Sequence, residues 1–189
     1  MFYIFYGDDQ FGLGEELARL RSQLADGDPV MGDLNTSILD GRTITFGELR
    51  HTTDALPFMA ERRLIIVHGL LARLAPGKGP AGSDAKFTED LAGYLPHLPP
   101  TTRLILCEEE KLSPSHPILQ VAREASKSRR GFIREFELPK ERDLPGWIRA
   151  RATEKGGRIS NEAVAVLAAL VGTDLRLSLI HISEPTRPY

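Results

Sequence analysis

The sequence predicts an α/β protein with a parallel sheet covered by helices on both faces, followed by the start of a small all-helical domain. Short apolar runs of strand length alternate with leucine-rich stripes of helical spacing, and this alternation is typical of parallel sheets. The first strand leads through a glycine-containing turn into the first helix. After about residue 138 the strand pattern stops and helical patterns alone continue.

The clearest strands are predicted at residues 2–6, 64–67, 104–107 and 132–136, with a weaker candidate at 36–39. One helical stripe follows the first strand, and it consists of Leu13, Leu17, Leu20 and Leu24. A second precedes the strand at 104–107, and it consists of Phe87, Leu91, Tyr94 and Leu95. Thr45 and Glu48 have the spacing of a capping box, which predicts a helix that begins near Thr45. Residues 76–83 are rich in glycine and proline and predict a surface loop.

Two helices are predicted beyond the boundary near Pro139. Pro145 opens the first, whose apolar side is formed by Leu144, Trp147, Ile148 and Ala152 and which ends at the Gly156-Gly157 pair. Ser160 caps the second, which contains Val164, Leu167, Ala168 and Val171 and ends at Gly172. We therefore divide the chain into a first domain at 1–138, a partial helical domain at 139–176 and a tail at 177–189.

The tail has no helical or strand periodicity. It resembles the translated end of a transposase-based sequencing adapter, so we expect a truncated gene fragment with a non-native tail. A disordered native tail is the alternative. In either case no site is assigned to His181 or its neighbours.

Composition limits the possible functions. The chain has 189 residues and a net charge of −2, so no global basic field would attract nucleic acid. Basic residues do gather locally, and we expect solvated faces there, with contact to DNA phosphates as the alternative. These groups are Lys127, Arg129, Arg130 and Arg134, and Arg149, Arg151, Lys155 and Arg158. The single cysteine, Cys107, predicts a buried thiol, and the absence of a leader segment predicts a cytoplasmic protein.

The first turn resembles a phosphate-binding loop that has lost its functional residues. Such a loop ends in Gly-Lys-Ser/Thr, because the lysine reaches the phosphates and the hydroxyl holds magnesium. Here the turn is predicted to run from Gly7 through Gly14, and Leu13 and Gly14 within it occupy the lysine and hydroxyl positions. Asp8 and Asp9 add negative charge inside it, so we expect that ATP does not bind productively.

Other catalytic patterns are also missing. The strand at 64–67 is followed by His68-Gly69, whereas an active ATPase carries Asp-Glu there to hold magnesium. Glu108, Glu109 and Glu110 follow another central strand, and we expect a solvated loop at this position. The histidines lack metal-ligand spacing, and one cysteine cannot build a structural zinc site. We therefore predict no catalytic residue, no metal site and no cofactor.

An apolar cluster lies at residues 56–59, between the helix that begins near Thr45 and the strand at 64–67. It consists of Leu56, Pro57, Phe58 and Met59 and is flanked by charged residues. The pattern alone favours burial under the edge of the sheet, because short apolar runs near strands mostly belong to the core. Insertion into a partner's apolar pocket is the alternative.

Four ordered segments, at residues 3–9, 55–64, 112–113 and 144–148, resemble the delta subunit family of bacterial DNA polymerase III. The order and spacing agree over roughly residues 1–176. The resemblance implies a RecA-like or AAA+-like first domain with a degenerate nucleotide site and a small helical lid. It also implies a C-terminal collar domain, which this sequence does not contain.

The resemblance further implies a clamp-loader subunit that binds the beta sliding clamp and opens it for loading onto primed DNA, without hydrolysing ATP itself. The clamp-binding residues would be Leu56, Pro57, Phe58 and Met59, which reverses the preference for burial. Its partners would be the clamp, the tau/gamma and delta-prime subunits and, through the assembled complex, primed DNA, with no membrane. An active ATPase with an unusual loop and a delta-prime-like stator subunit are the alternatives; the stator is expected to carry a cysteine zinc module.

Overall fold

The computed structural model of the protein describes residues 1–25, 28–76, 83–154 and 156–171. The chain divides into two compact units, Met1–Phe136 and Glu137–Tyr189. Most of the loop predicted at 76–83, the helix stop predicted at Gly172 and the tail predicted at 177–189 lie outside the described residues.

The first unit is built on a five-stranded sheet in which every strand pair is parallel. The strands are β1 (Phe2–Tyr6), β2 (Thr36–Asp40), β3 (Arg63–His68), β4 (Thr102–Glu108) and β5 (Gly131–Glu135). Their order across the sheet is β2-β3-β4-β1-β5. All five predicted strands are present, and the predicted α/β class with a parallel sheet is confirmed.

Among the described residues, six α-helices connect these strands: α1 (Gln10–Ala25), α2 (Pro29–Leu34), α3 (Phe46–Asp54), α4 (Leu70–Arg73), α5 (Ser83–Tyr94) and α6 (Pro117–Lys127). Each face of the sheet has its own hydrophobic core. The larger core joins Ile65 and Leu104 of the sheet to Leu49 of α3, Leu91 of α5 and Ile118 of α6. The smaller core joins residues of β1, β3 and β4 on the other face to α1, whose predicted leucine stripe packs against it.

Two helices of the first unit show how local sequence sets an element boundary. Thr45 and Glu48 form the predicted capping box: the Thr45 amide donates to a Glu48 carboxylate oxygen at 2.8 Å, and the Glu48 amide donates to Thr45 Oγ1 at 3.3 Å. Helix α6 was not predicted, although Pro117 at its first position is a start signal. Its cap is His116, whose Nδ1 accepts a hydrogen bond from the Ile118 amide at 3.2 Å.

The second unit contains α7 (Leu144–Glu154) and α8 (Asn161–Val171). The apolar side predicted for α7 is buried at Leu144, Ile148 and Ala152. The Gly157 amide donates to the Ala152 carbonyl at 2.8 Å beyond the end of α7. The predicted cap of α8 is present, because the Ala163 amide donates to Ser160 Oγ at 3.1 Å.

Candidate binding finger and degenerate phosphate loop

The turn after β1 is much shorter than the predicted loop. Helix α1 already begins at Gln10, so Gly12, Leu13 and Gly14 are helical and the turn contains only residues 7–9. The prediction of a turn that continues through Gly14 was therefore wrong. The reason is local capping: Asp9 Oδ1 accepts a hydrogen bond from the Gly12 amide at 2.8 Å and starts the helix early.

Gly7 is required by close backbone packing. Its φ is +134°, and a Cβ atom there would lie 2.1 Å from the Phe136 carbonyl oxygen. The same carbonyl accepts a hydrogen bond from the Asp9 amide at 3.0 Å. The residue after β5 thus occupies the space beside the turn, which leaves three residues and an aspartate-capped helix where a phosphate-binding loop would need free amides.

Leu13, at the position of the phosphate-binding lysine, is a core residue. Its side chain is buried in the smaller core against the sheet, and the adjacent Gly14 is exposed. A cation does lie beside the turn: Lys111 Nζ is 3.6 Å from Asp8 Oδ2 and 4.0 Å from Glu135 Oε1. This lysine is therefore engaged by two carboxylates of the same unit.

Glu108 differs from the prediction of a solvated acidic loop. Glu108 is 1% exposed, whereas Glu109 and Glu110 are exposed. The Glu108 carboxylate accepts a hydrogen bond from the Leu71 amide at the beginning of α4. Burial raises the pKa of Glu108 to about 7. The Leu71 carbonyl in turn lies 3.0 Å from His116 Nε2, so one backbone residue joins two buried polar side chains.

His116 is held as the neutral tautomer with hydrogen on Nε2. Its Nδ1 accepts from the Ile118 amide, so Nε2 must donate to the Leu71 carbonyl. Burial lowers the pKa of this imidazole accordingly. The neighbouring Cys107 is the predicted buried thiol, and burial raises its pKa to about 12. Glu108 and His116 thus both have hydrogen-bond partners inside the fold, which is typical of structural rather than catalytic groups.

The apolar cluster at residues 56–59 is exposed. Leu56 is 82% exposed, Phe58 56% and Met59 80%, and Pro57 is half-buried. The interpretation favoured by the pattern alone, burial under the sheet edge, was therefore wrong. We call Leu56, Pro57, Phe58 and Met59 the finger. It lies in the connection between α3 and β3, before the first residue of β3.

The finger is held from behind by Asn35, a buried residue between α2 and β2. The Phe58 amide donates to Asn35 Oδ1 at 2.7 Å, and Asn35 Nδ2 donates to the Phe58 carbonyl at 2.9 Å. A second donation from Asn35 Nδ2 reaches the Met31 carbonyl at 3.0 Å. The backbone of Phe58 is thus fixed on both sides while its ring remains exposed.

Sequence reasoning missed Asn35 and the exposed residues beside it. Val30 and Leu34 of α2 and Ile38 of β2 are also large apolar side chains that remain exposed. They belong to the segment of α2 and β2 that flanks Asn35 in the sequence. No local pattern identifies Asn35, because its partner Phe58 lies 23 residues away. Asp28 followed by Pro29 is a helix-start signal that could have identified α2.

Several members of the two basic groups identified from sequence form ion pairs within the described residues. Lys127 Nζ pairs with a Glu124 carboxylate oxygen at 2.7 Å, and Arg134 of β5 pairs with Glu16 of α1 at 3.1 Å. Arg151 pairs with Glu154 at 2.7 Å. The paired members agree with solvated faces, whereas Arg129 and Arg130 have no ion pair within the described residues. None of the described helices is long and apolar enough to cross a membrane.

Comparison with solved structures identifies proteins that share this fold. A DNA clamp loader delta protein of Bacillus subtilis (YqeN) superimposes with a TM-score of 0.74 at 22% identity, over 97% of this chain and 52% of that one. RuvB of Thermotoga maritima superimposes with a TM-score of 0.52 at 13% identity, over 96% and 53%. The chain therefore spans about half the length of these proteins. The predicted RecA-like or AAA+-like fold is confirmed.

Sequence comparison identifies the family. No curated protein matches the sequence. The family model described as DNA polymerase III, delta subunit, matches residues 3–126, which is well over half of the 189 residues. The matched range contains both the altered phosphate loop and the finger. The chain belongs to the delta subunit family of DNA polymerase III.

Proposed function

We propose that this chain is the part of a clamp-loader delta subunit that binds the beta sliding clamp through the finger and favours its open form during DNA replication. The observation that carries this proposal is a rigidly held apolar projection: Phe58 is 56% exposed although both of its backbone polar groups are bonded to buried Asn35. Exposed apolar clusters of this kind mark interaction sites.

The finger suits insertion into a pocket of a partner. Burying one Leu or Phe side chain contributes roughly 1.5–3 kcal/mol, and Leu56, Phe58 and Met59 are adjacent. Because Asn35 already fixes the Phe58 backbone, little ordering of the loop is needed on binding. A subunit that binds the open clamp more tightly than the closed clamp shifts the ring toward opening, and this requires no chemistry of its own.

The phosphate-loop region supports a role without ATP hydrolysis. A triphosphate needs free amides and a lysine at the helix start, but the Gly12 amide is bonded to Asp9 and Leu13 is buried in the core. Asp9 occupies the Gly12 amide, and Asp8 is paired with Lys111, so neither that amide nor this lysine is free to hold a phosphate. Titration of the chain with Mg²⁺-ATP should show no binding in the micromolar range, and micromolar binding would contradict this part of the proposal.

We extend the proposal to assembly on the basis of the family. The described units would correspond to the first domain at 1–138 and part of the lid at 139–176, acting in the cytoplasm with tau/gamma and delta-prime subunits and with primed DNA through the complex. The collar that joins such subunits is proposed to correspond to the half of the Bacillus subtilis delta protein that this chain does not cover.

Replacement of Phe58 tests the proposal directly. We expect Phe58→Ala to weaken binding to purified beta clamp by about 10- to 150-fold, the equivalent of losing one buried aromatic side chain. The melting temperature should hardly change because the ring is exposed. Val166→Ala is the matched control, since Val166 is 55% exposed on α8. Equal clamp affinity for Phe58→Ala and the control would refute the assignment of the finger.

A further inference from the structure

The parallel sheet places the finger and a cluster of arginines at the same edge. In a parallel sheet the residues that precede all strands lie at one edge, here called the amino-terminal edge. The finger precedes β3, and Arg130 directly precedes β5. Backbone hydrogen bonds connect the strands there: the Arg63 amide donates to the Thr101 carbonyl, and the Phe2 amide donates to the Arg130 carbonyl, both at 2.9 Å.

A pocket of about 290 Å³ opens at this edge. Arg103, Arg129 and Arg130 supply its charged wall, and Leu95 and Leu98, together with two prolines, supply its apolar wall. Within the described part of the chain, no carboxylate lines this pocket. Sequence reasoning missed the cluster because Arg103 comes from β4 whereas the other two arginines follow α6.

The charges of the pocket are not neutralised by the fold. Arg103 Nη1 donates to the Pro100 carbonyl at 3.0 Å, and Arg130 Nη1 donates to the Pro96 carbonyl at 2.8 Å, so both guanidinium groups are oriented by neutral acceptors. Over the residues that the structure describes, none of the three arginines has an ion pair. Burial, together with nearby Arg62, lowers the pKa of Arg103, as expected where cations lack a counter-ion.

Arg129 occupies a backbone position that favours glycine. Its φ is +56°, and it follows the last turn of α6 in a Schellman motif. The Arg129 amide donates to the Ser126 carbonyl and the Arg130 amide to the Ala125 carbonyl, both at 3.0 Å. A residue with a Cβ atom is disfavoured in this conformation. Arg129 therefore lowers the stability of the fold at this position, and its side chain lines the pocket.

We propose that the pocket formed by Arg103, Arg129 and Arg130 receives a carboxylate side chain of the same protein that accepts the finger. This inference rests on the proposed function. Phe58 of the finger is bonded to Asn35, which directly precedes β2, and four strand spacings separate β2 from β5, or roughly 19 Å. An interface of ordinary size covers about 800 Å² of each partner, so it would span both features.

The shape of the pocket favours an acidic protein side chain over a DNA phosphate. Leucine and proline walls around the arginines form a concave site in which the stem of a glutamate or aspartate could be buried. Arginine presents a planar donor group that matches a carboxylate with two hydrogen bonds. Non-specific DNA contact instead relies on exposed basic side chains that follow the phosphate backbone.

Arg129→Gly provides a sharp test because it should not damage the fold. We expect the variant to keep the wild-type melting temperature or to raise it by about 2 °C, since glycine relieves the backbone conformation. Its affinity for the beta clamp should fall on the order of tenfold, and the dependence of that affinity on salt should become weaker. Lys127→Gln is the control, since it removes one positive charge nearby from a residue already paired with Glu124.

The outcomes separate this inference from the proposed function. If Phe58→Ala weakens clamp binding and Arg129→Gly does not, the carboxylate pocket is refuted while the finger assignment stands. If Phe58→Ala has no effect, the proposed function itself fails. If Arg129→Gly leaves clamp binding intact but weakens binding of a primed DNA oligonucleotide to the chain, the pocket takes phosphate, and the proposal of a protein carboxylate is overturned.

Discussion

Replacing Asn35 with alanine should show how far clamp binding depends on the fixed position of the finger, as distinct from the side chains that the finger presents. Asn35 is 3% exposed and makes no contribution to the exposed apolar surface itself. Its side chain makes two hydrogen bonds to the backbone of Phe58 and one to Met31. In the variant the Met31 carbonyl still accepts a hydrogen bond from the backbone amide of residue 35, at 3.2 Å in the wild type. The backbone of Phe58 is therefore the main group that loses its hydrogen bonds.

The expected magnitude follows from these bonds. Each intramolecular hydrogen bond contributes about 0.5–1.5 kcal/mol net, so losing the two bonds to Phe58 should lower the free energy of unfolding by about 1–3 kcal/mol. Released from Asn35, the finger would have to be ordered again on binding. We expect that cost to weaken clamp affinity on the order of tenfold, although no contacting side chain is altered.

A double-mutant cycle provides the assay. Clamp affinity is measured for the wild type, Asn35→Ala, Phe58→Ala and the double variant, and unfolding in urea is measured for each. If Asn35 acts by positioning Phe58, its replacement should weaken binding much less when Phe58 is already alanine. Equal effects of Asn35→Ala in both backgrounds would refute the positioning role and leave Asn35 as a residue of stability alone.

Three further changes test the rest of the first unit. The raised pKa of Glu108, about 7, means that its contribution to stability is present below pH 4.5 and is lost as the pH rises through about 7. Urea unfolding should therefore show Glu108→Gln gaining about 2–3 kcal/mol over the wild type between pH 5 and pH 8, and a constant difference would contradict the buried neutral carboxyl. Leu13→Lys should lower the free energy of unfolding by about 3 kcal/mol or more, because the side chain is buried, and nucleotide titration should still show no binding. Thr45→Ala should cost about 1 kcal/mol in urea unfolding through loss of the capping box, whereas Thr45→Ser should retain most of it.

Local patterns predicted the sheet well because its strands are apolar and short. The central strands β1, β3 and β4 were predicted within two residues at each end, whereas the edge strand β2 gave a weaker signal because only one side of it is covered. Helix α2 has six residues and shows little periodicity. Helix α6 was missed despite Pro117, because the cap came from a histidine rather than from the usual Ser, Thr, Asp or Asn.

Long-range contacts explain what the sequence could not predict. Glu108 looked solvated in a run of three glutamates, but its donor, the Leu71 amide, lies 37 residues away. The finger looked like core, and its backbone is held by Asn35, 23 residues away. The early start of α1 was predictable from local sequence, because Asp9 and Gly12 have the spacing of a helix-capping hydrogen bond. The similarity to a phosphate-binding loop concealed that simpler interpretation.

The backbone itself links the two proposed binding features. Among the described residues, two that are not glycine have positive φ: Met59 at +47° in the finger and Arg129 at +56° beside the arginine pocket. Both precede a strand at the amino-terminal edge of the sheet. A left-handed conformation costs roughly 1–2 kcal/mol for such residues, and strained residues of this kind concentrate at functional sites. Glycine would relieve both positions, yet it would remove a side chain from the surface proposed to contact the clamp. Binding to a partner, rather than the stability of the isolated chain, would therefore explain why Met59 and Arg129 occupy positions that favour glycine.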